Sequence, residues 1–192
     1  MIKIYLDVET TGTEPQKHSI HQIAGIVEVE EVVLEEFDYK VAPHPKCICD
    51  PASMTFLGVT EEQIRAYPEM KEVHKKFTKL LGKYVDKYDK KDKATIVGYN
   101  NRSFDEPFLR KWFEQCGDNY FGSWFWPNSL DALVLATEYL AERRIDMPSF
   151  KLFRVALELG LEVDKEKTHE AGYDIALTRQ IYRIVTGREI EI

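Results

Sequence analysis

A chain of 192 residues, 44% apolar and 31% charged, carries enough apolar surface for one hydrophobic core and is neither polar enough for a disordered chain nor apolar enough for a membrane protein. No apolar run approaches bilayer-spanning length, and Asp7 interrupts the first apolar stretch too early for a secretory signal segment. The net charge of −7 excludes a protein that grips nucleic acid by broad counterion release, but leaves open phosphate chemistry in which bound cations do the neutralising. A single domain over 1–192 and a cytoplasmic location are therefore expected. Cys47, Cys49 and Cys116 have neither zinc-site spacing nor an even count, and read as free thiols.

Ile2 to Val8 alternates and runs into the polar stretch Thr10-Thr11-Gly12, a strand entering a loop. A second strand falls within Ile20 to Val29 and a third within Val32 to Val41, joined by an acidic turn at Glu30-Glu31 and stopped by Pro43 and Pro45. Three strands in succession predict an antiparallel meander. The period then changes: Met70, Val73, Phe77, Leu80, Leu81 and Val85 recur at helical spacing with lysines between them, which predicts one long helix with a solvated basic face. Ala94 to Tyr99 reads as a buried strand that enters a loop at Asn100-Asn101. Phe104, Phe108, Leu109, Trp112 and Phe113 trace the inner face of a helix with Pro107 in its first turn and Gly117 at its end. Phe121, Trp124, Phe125 and Trp126 form an aromatic cluster expected to be buried. Leu130, Leu133, Val134 and Thr137 mark a further helix and Leu152 to Leu159 another. Ala176, Leu177, Ile181, Ile184 and Val185 mark a last helix, ending near Gly187. This order predicts an α/β sheet with at least one parallel strand added beside the meander.

Asp7 and Glu9 stand two apart on a strand, so both carboxylates leave one face while Val8 points to the other. Like charges held this close favour a hard divalent cation between them; solvated acids at a strand end are the ordinary alternative. Asp105 opens a helix, the position of a capping aspartate. His169 and Asp174 lie five apart and cannot converge from one regular helix at about 100° per residue. They converge if His169 sits on the loop ahead of the helix and Asp174 in its first turns, with Gly172 near the start.

Taken together, Asp7-Val8-Glu9-Thr10-Thr11-Gly12, Asn101-Arg102-Ser103-Phe104-Asp105 and His169-Glu170-Ala171-Gly172-Tyr173-Asp174 resemble the DEDDh family of 3′ to 5′ exonucleases, which includes the proofreading subunits of bacterial replicative polymerases. The family pattern is Asp-x-Glu on the first strand, Asn-x-x-Phe-Asp after the fourth and His-x-x-x-x-Asp at the last helix. Phe56-Leu57-Gly58-Val59-Thr60 also looks like the family's loop before its first long helix. The family's tyrosine variant places Tyr four residues before the last Asp, where Glu170 stands, so His169 is the better match. Asn100, where many relatives have His, and Ile175, where a smaller residue is usual, depart from the pattern.

The resemblance implies a ribonuclease H-like mixed sheet, a three-stranded antiparallel meander plus parallel strands, flanked by helices. It implies hydrolysis at the 3′ end of single-stranded DNA with release of nucleoside 5′-monophosphates, using two divalent cations, Mg²⁺ or Mn²⁺. On that reading Asp7 bridges both ions, Glu9 and Asp174 help hold the ion carrying the attacking water, Asp105 acts on the other, and His169 takes the proton. Val8, Thr10, Thr11 and Gly12 are candidate contacts to the terminal nucleotide. Phe104 is a candidate stacking ring, with core packing as its default. The expected partners are single-stranded nucleic acid with a free 3′ end and a DNA polymerase, with no membrane. An exoribonuclease of the same family, and a catalytically silent nucleic-acid or polymerase-binding module, stand as alternatives.

Overall fold

The computed structural model describes residues 1–164 and 171–188. Five strands, β1 (Ile2–Thr10), β2 (Ile20–Val29), β3 (Val32–Lys40), β4 (Thr95–Gly98) and β5 (Leu130–Asp131), form one sheet in the order β3-β2-β1-β4-β5. The first three pair antiparallel, whereas β4 joins β1 and β5 joins β4 in parallel. The meander with added parallel strands is therefore the expected one. Glu30 and Glu31 turn it with φ of 50° and 72°, the paired left-handed conformation that matches the twist of a tight hairpin.

The helices are α1 (Pro51–Leu57), α2 (Glu61–Arg65), α3 (Met70–Leu81), α4 (Asp105–Gln115), α5 (Phe121–Trp124), α6 (Ala132–Tyr139), α7 (Leu152–Glu158) and α8 (Ala171–Val185). They cover both faces of the sheet. Along β1 the strand alternation sends Ile4, Leu6 and Val8 into a core closed by α3, α4 and α5, and Tyr5 into a second core closed by α6, α7 and α8. Asp7 and Glu9 share the parity of Tyr5, so they emerge on the α8 face at the end of β1.

Several sequence expectations need correction. Phe56 to Thr60 is not simply a loop: α1 runs through Leu57, Gly58 ends it at φ 65°, and Thr60 forms a capping box with Gln63 to start α2. Leu130 is not helical; it pairs with Val97 in β5, and Asp131 accepts the Leu133 N–H at 3.0 Å to cap α6. The buried residues of α6 are Ala132 and Ala136, while Val134 is 61% exposed. α3 stops at Leu81, with Val85 buried in the turn beyond it. Lys71, Lys75, Lys76 and Lys79 are exposed, as a solvated face requires. Phe121, Trp124 and Phe125 are buried, but Trp126 is 40% exposed. All three cysteines are free. Among the described residues no helix is long and apolar enough to cross a membrane.

α8 is fastened to the sheet by charge as well as by packing. Glu28 on β2 meets Lys3 of β1 and Arg179 of α8, each at 2.7 Å, and Lys3 and Glu28 are almost wholly buried. Burial alone would push the Glu28 carboxyl up, but the hydrogen bonds from Lys3 and Arg179 outweigh it and hold the group below its usual range. A depressed carboxylate stabilises the fold above its unfolded value, and that contribution is lost as pH falls through the folded one. Glu28→Gln leaves the Lys3 ammonium buried without an anion. The expected loss is about 3 kcal/mol, read as a lower denaturant midpoint at pH 7; an unchanged midpoint would show that the pair contributes nothing net.

Candidate active site

The acidic residues gather at the carboxyl ends of β1 and β4, where neighbouring parallel strands open a crevice. Asp7 and Glu9 come from β1. The third carboxylate arrives by a route the sequence did not disclose. Asp105 was expected to cap α4, yet Phe104 occupies the cap position without a side-chain hydrogen bond, and Asp105 is the first residue inside the helix. Its Oδ1 accepts the Val8 N–H at 3.0 Å. This bond exists because β4 pairs with β1 only as far as Tyr5, which leaves the later amides of β1 free on that side. Asp105 thus ties α4 to β1 and is itself only 4% exposed.

Asp174 lies in the first turn of α8, which begins at Ala171 with Gly172 as its second residue. His169 itself lies outside the described residues.

The carboxylates feel one another. Burial, then the charges of Asp105, Glu9 and Asp174, push Asp7 well above the usual carboxylate range. Burial and the Asp174 charge raise Glu9 to about 7, against a smaller opposing pull from Lys40. Asp105 is raised to about 7, chiefly by burial, although the Val8 amide pulls it down. Among the described residues no group of three or more His, Cys, Asp or Glu side chains is already drawn together tightly enough to hold a metal ion. The donor set nonetheless fits a hard divalent cation, because crowded, part-buried carboxylates supply only oxygen ligands and repel one another until a cation offsets them.

Two clefts flank these acids. One, of about 520 Å³, is lined by Glu9, Thr10, Gly12, Ser53, Phe56 and Phe104. The other, of about 630 Å³, is lined by Phe56, Tyr99, Asn100, Leu152, Phe153 and Asp174. Phe56, 66% exposed, belongs to both. Asn100 adopts a left-handed φ of 61°, and its N–H donates to Asp131 Oδ1 at 2.9 Å.

The candidate nucleotide contacts divide. Thr10 and Gly12 line the first cleft, and a Cβ on Gly12 would come within 2.4 Å of the His18 ring, so only glycine fits there. Thr11 is turned inward: its hydroxyl donates to Ile48 O at 2.7 Å and accepts the Ser19 N–H at 3.0 Å. Val8 packs its side chain in the core, and its N–H is taken by Asp105. Phe104 serves both readings, since its ring meets Phe108 at 5.2 Å and also lines the cleft. The wall built by α1 is signalled in the sequence only by Asp50 followed by Pro51, a helix-start pair, and is absent from the expectations above.

Residues 4–182 match the RNase_T exonuclease family. The chain is 26% identical over 179 residues to a PolC-type DNA polymerase III of Mycoplasmopsis pulmonis, covering 93% of this chain and 11% of that protein. It is 26% identical over 204 residues to exodeoxyribonuclease I of Escherichia coli, covering 97% of this chain and 40% of that protein. A zinc-bound complex of E. coli exonuclease I with single-stranded DNA shares the fold at a TM-score of 0.76 and 23% identity, over 98% of this chain and 41% of that one. The chain therefore spans about a tenth of the polymerase and two fifths of the exonuclease. The ribonuclease H-like arrangement expected from the motifs is the one found. Given a match that spans both strand-borne acids, Asp105 and Asp174, the chain belongs to the RNase_T family of exonucleases, in line with its DEDDh-type motifs.

Proposed function

We propose that this chain is a single metal-dependent exonuclease domain that removes nucleotides one at a time from the 3′ end of single-stranded DNA, releasing nucleoside 5′-monophosphates. The observation that carries the reading is the convergence of Asp7, Glu9, Asp105 and Asp174 from β1, α4 and α8 beside two open clefts. These four residues would hold two divalent cations, Mg²⁺ or Mn²⁺. When bound, such ions neutralise the phosphate, make a water nucleophilic and stabilise the departing 3′ oxygen.

The chain's own groups do the rest. Asp105, anchored through Oδ1 to the Val8 amide, is positioned before any ion arrives. Thr10 and Gly12 border the cleft that takes the terminal nucleotide, with Phe104 and Phe56 offering ring faces for its base. The preceding nucleotide crosses Phe56 into the cleft beside Asp174 and Phe153. His169, ahead of α8, takes the proton from the attacking water. The single-stranded DNA bound by exonuclease I supports the substrate assignment. The PolC-type relatives support a DNA polymerase as partner.

The test is to offer the purified chain matched DNA and RNA oligonucleotides with Mg²⁺ or Mn²⁺ and to resolve the products. Stepwise shortening of DNA from an unblocked 3′ end, with 5′-monophosphates released, is expected. Release from RNA alone would make it an exoribonuclease. Divalent binding with no release from either would make it a binding module.

A further inference from the structure

A third cleft, of about 450 Å³, meets the terminal-nucleotide cleft at Glu9 and Leu57. Its other walls include His21, Gln22, Asp38 and Lys40 of the meander and the α8 residues Ala171 and Gly172. It originates in a defect of the β1–β2 ladder: Glu9 pairs with Gln22 but Thr10 pairs with Ile20, so His21 is an extra residue without a partner across β1. Bulges of this kind re-aim side chains next to active sites. Here the bulge lets two successive residues, His21 and Gln22, line the same cleft.

His21 is 2% exposed, and neither of its ring nitrogens has a hydrogen-bond partner. An unpaired buried polar group is costly, and one that borders a cleft is satisfied when the cleft fills. Gln22 is already committed: its Nε2 donates to Asp38 Oδ1 at 2.8 Å, and its Oε1 accepts from Lys40 Nζ. The Lys40 ammonium is therefore held by a neutral amide.

We propose that this cleft is an oxyanion subsite that seats a phosphate group of the nucleic-acid strand, with Lys40 and His21 as its donors; the proposal rests on the nuclease reading of the neighbouring Glu9. Of the charged groups lining the cleft, Lys40 is the one left to attract an anion, since Asp38 is turned onto Gln22 and Glu9 belongs to the acidic site. Burial first, and then the Lys40 charge, hold the His21 ring down to about 4, so at neutral pH it is a neutral imidazole with one N–H to donate and no charge to desolvate. Asp38, a carboxylate on the same wall, is turned onto Gln22. A phosphate held here anchors the strand next to the acids, a contact that serves bound substrate and transition state alike and so acts on KM.

The direct test follows the His21 ring nitrogens by NMR in EDTA while inorganic phosphate, thymidine 5′-monophosphate or a 3′-blocked DNA oligonucleotide is added to the full chain. The ring signals are expected to move with all three probes, and at the lowest concentration with the oligonucleotide. Binding of the monophosphate as tight as that of the oligonucleotide would overturn the strand in favour of released product. No movement with any probe would overturn the subsite. With active protein, Lys40→Ala is expected to raise KM about tenfold with little change in kcat, and to reduce the log-log salt slope of binding by about 0.7. His21→Leu is expected to weaken oligonucleotide binding without lowering the melting temperature, since it removes an unpaired buried group. Wild-type affinity in both variants would sink the proposal. The NMR titration needs no turnover, so failure of the subsite and failure of the exonuclease reading are separate results.

Discussion

Replacing Asp7 with asparagine is expected to cut nucleotide release by at least about a thousandfold, or about 4 kcal/mol of transition-state stabilisation, while making the metal-free protein more stable. Both effects have one cause. Asp7 is partly buried on β1, and the charges of Asp105, Glu9 and Asp174 add to the desolvation that pushes its carboxyl up. A group so placed destabilises the empty fold and becomes favourable when a cation offsets the crowding. Asparagine keeps the shape and removes the charge, so it relieves the repulsion and forfeits the ligand. Thermal melts in EDTA and in Mg²⁺ check this beside the release assay. The wild-type midpoint is expected to rise with Mg²⁺, and the Asp7→Asn midpoint to begin higher and respond less. Full release by Asp7→Asn would end the metal assignment.

The second large effect is on pH. In EDTA the protein is expected to lose stability as pH rises through about 7, and millimolar Mg²⁺ is expected to remove most of that loss. Glu9 and Asp105 both sit near 7 in the folded protein, raised first by burial and then by neighbouring carboxylates. Unfolded, they return to the ordinary range of about 4. Between those values the folded state binds more protons than the unfolded one, so stability falls with rising pH, by up to about 1.4 kcal/mol per pH unit for each such group. Below about 4 both states are protonated, and the contribution is fully present. Above 7 both are ionised, and the loss is complete. Denaturant midpoints measured from pH 5 to 8, with and without Mg²⁺, decide the matter. A midpoint that rises with pH in EDTA would mean that the carboxylates are not crowded in the folded chain.

Much of this site is legible in the sequence. The two-residue spacing of Asp7 and Glu9 placed both on one face because strand alternation is a local property, and β1 keeps it through Thr10. Asp174 was expected in the first turns of the last helix, and it stands in the first described turn of α8, while His169 lies outside the described residues. The helical period of Met70 to Leu81 identified α3 because twelve residues are enough to reveal a face. β5 escaped because two residues show no period, and its Leu130 fitted the helical spacing of α6 as well as it fits a strand. α1 and α2, of seven and five residues, are also too short to reveal a face, and only their caps mark them.

What the sequence determined by itself is the inventory and the local geometry: which acids exist, which share a strand face and where the long helices run. Those follow from backbone periods of two and about 3.6 residues, which neighbours in the chain impose on one another. Only the tertiary structure decided how the pieces meet. Asp105 reaches Val8 across 97 residues because β4 stops pairing at Tyr5, and the third cleft exists because β2 slips register by one residue beside Glu9. Hydrogen-bond register between strands is settled by the whole sheet and its two cores, so no local pattern around Asp105 or His21 could have announced either one.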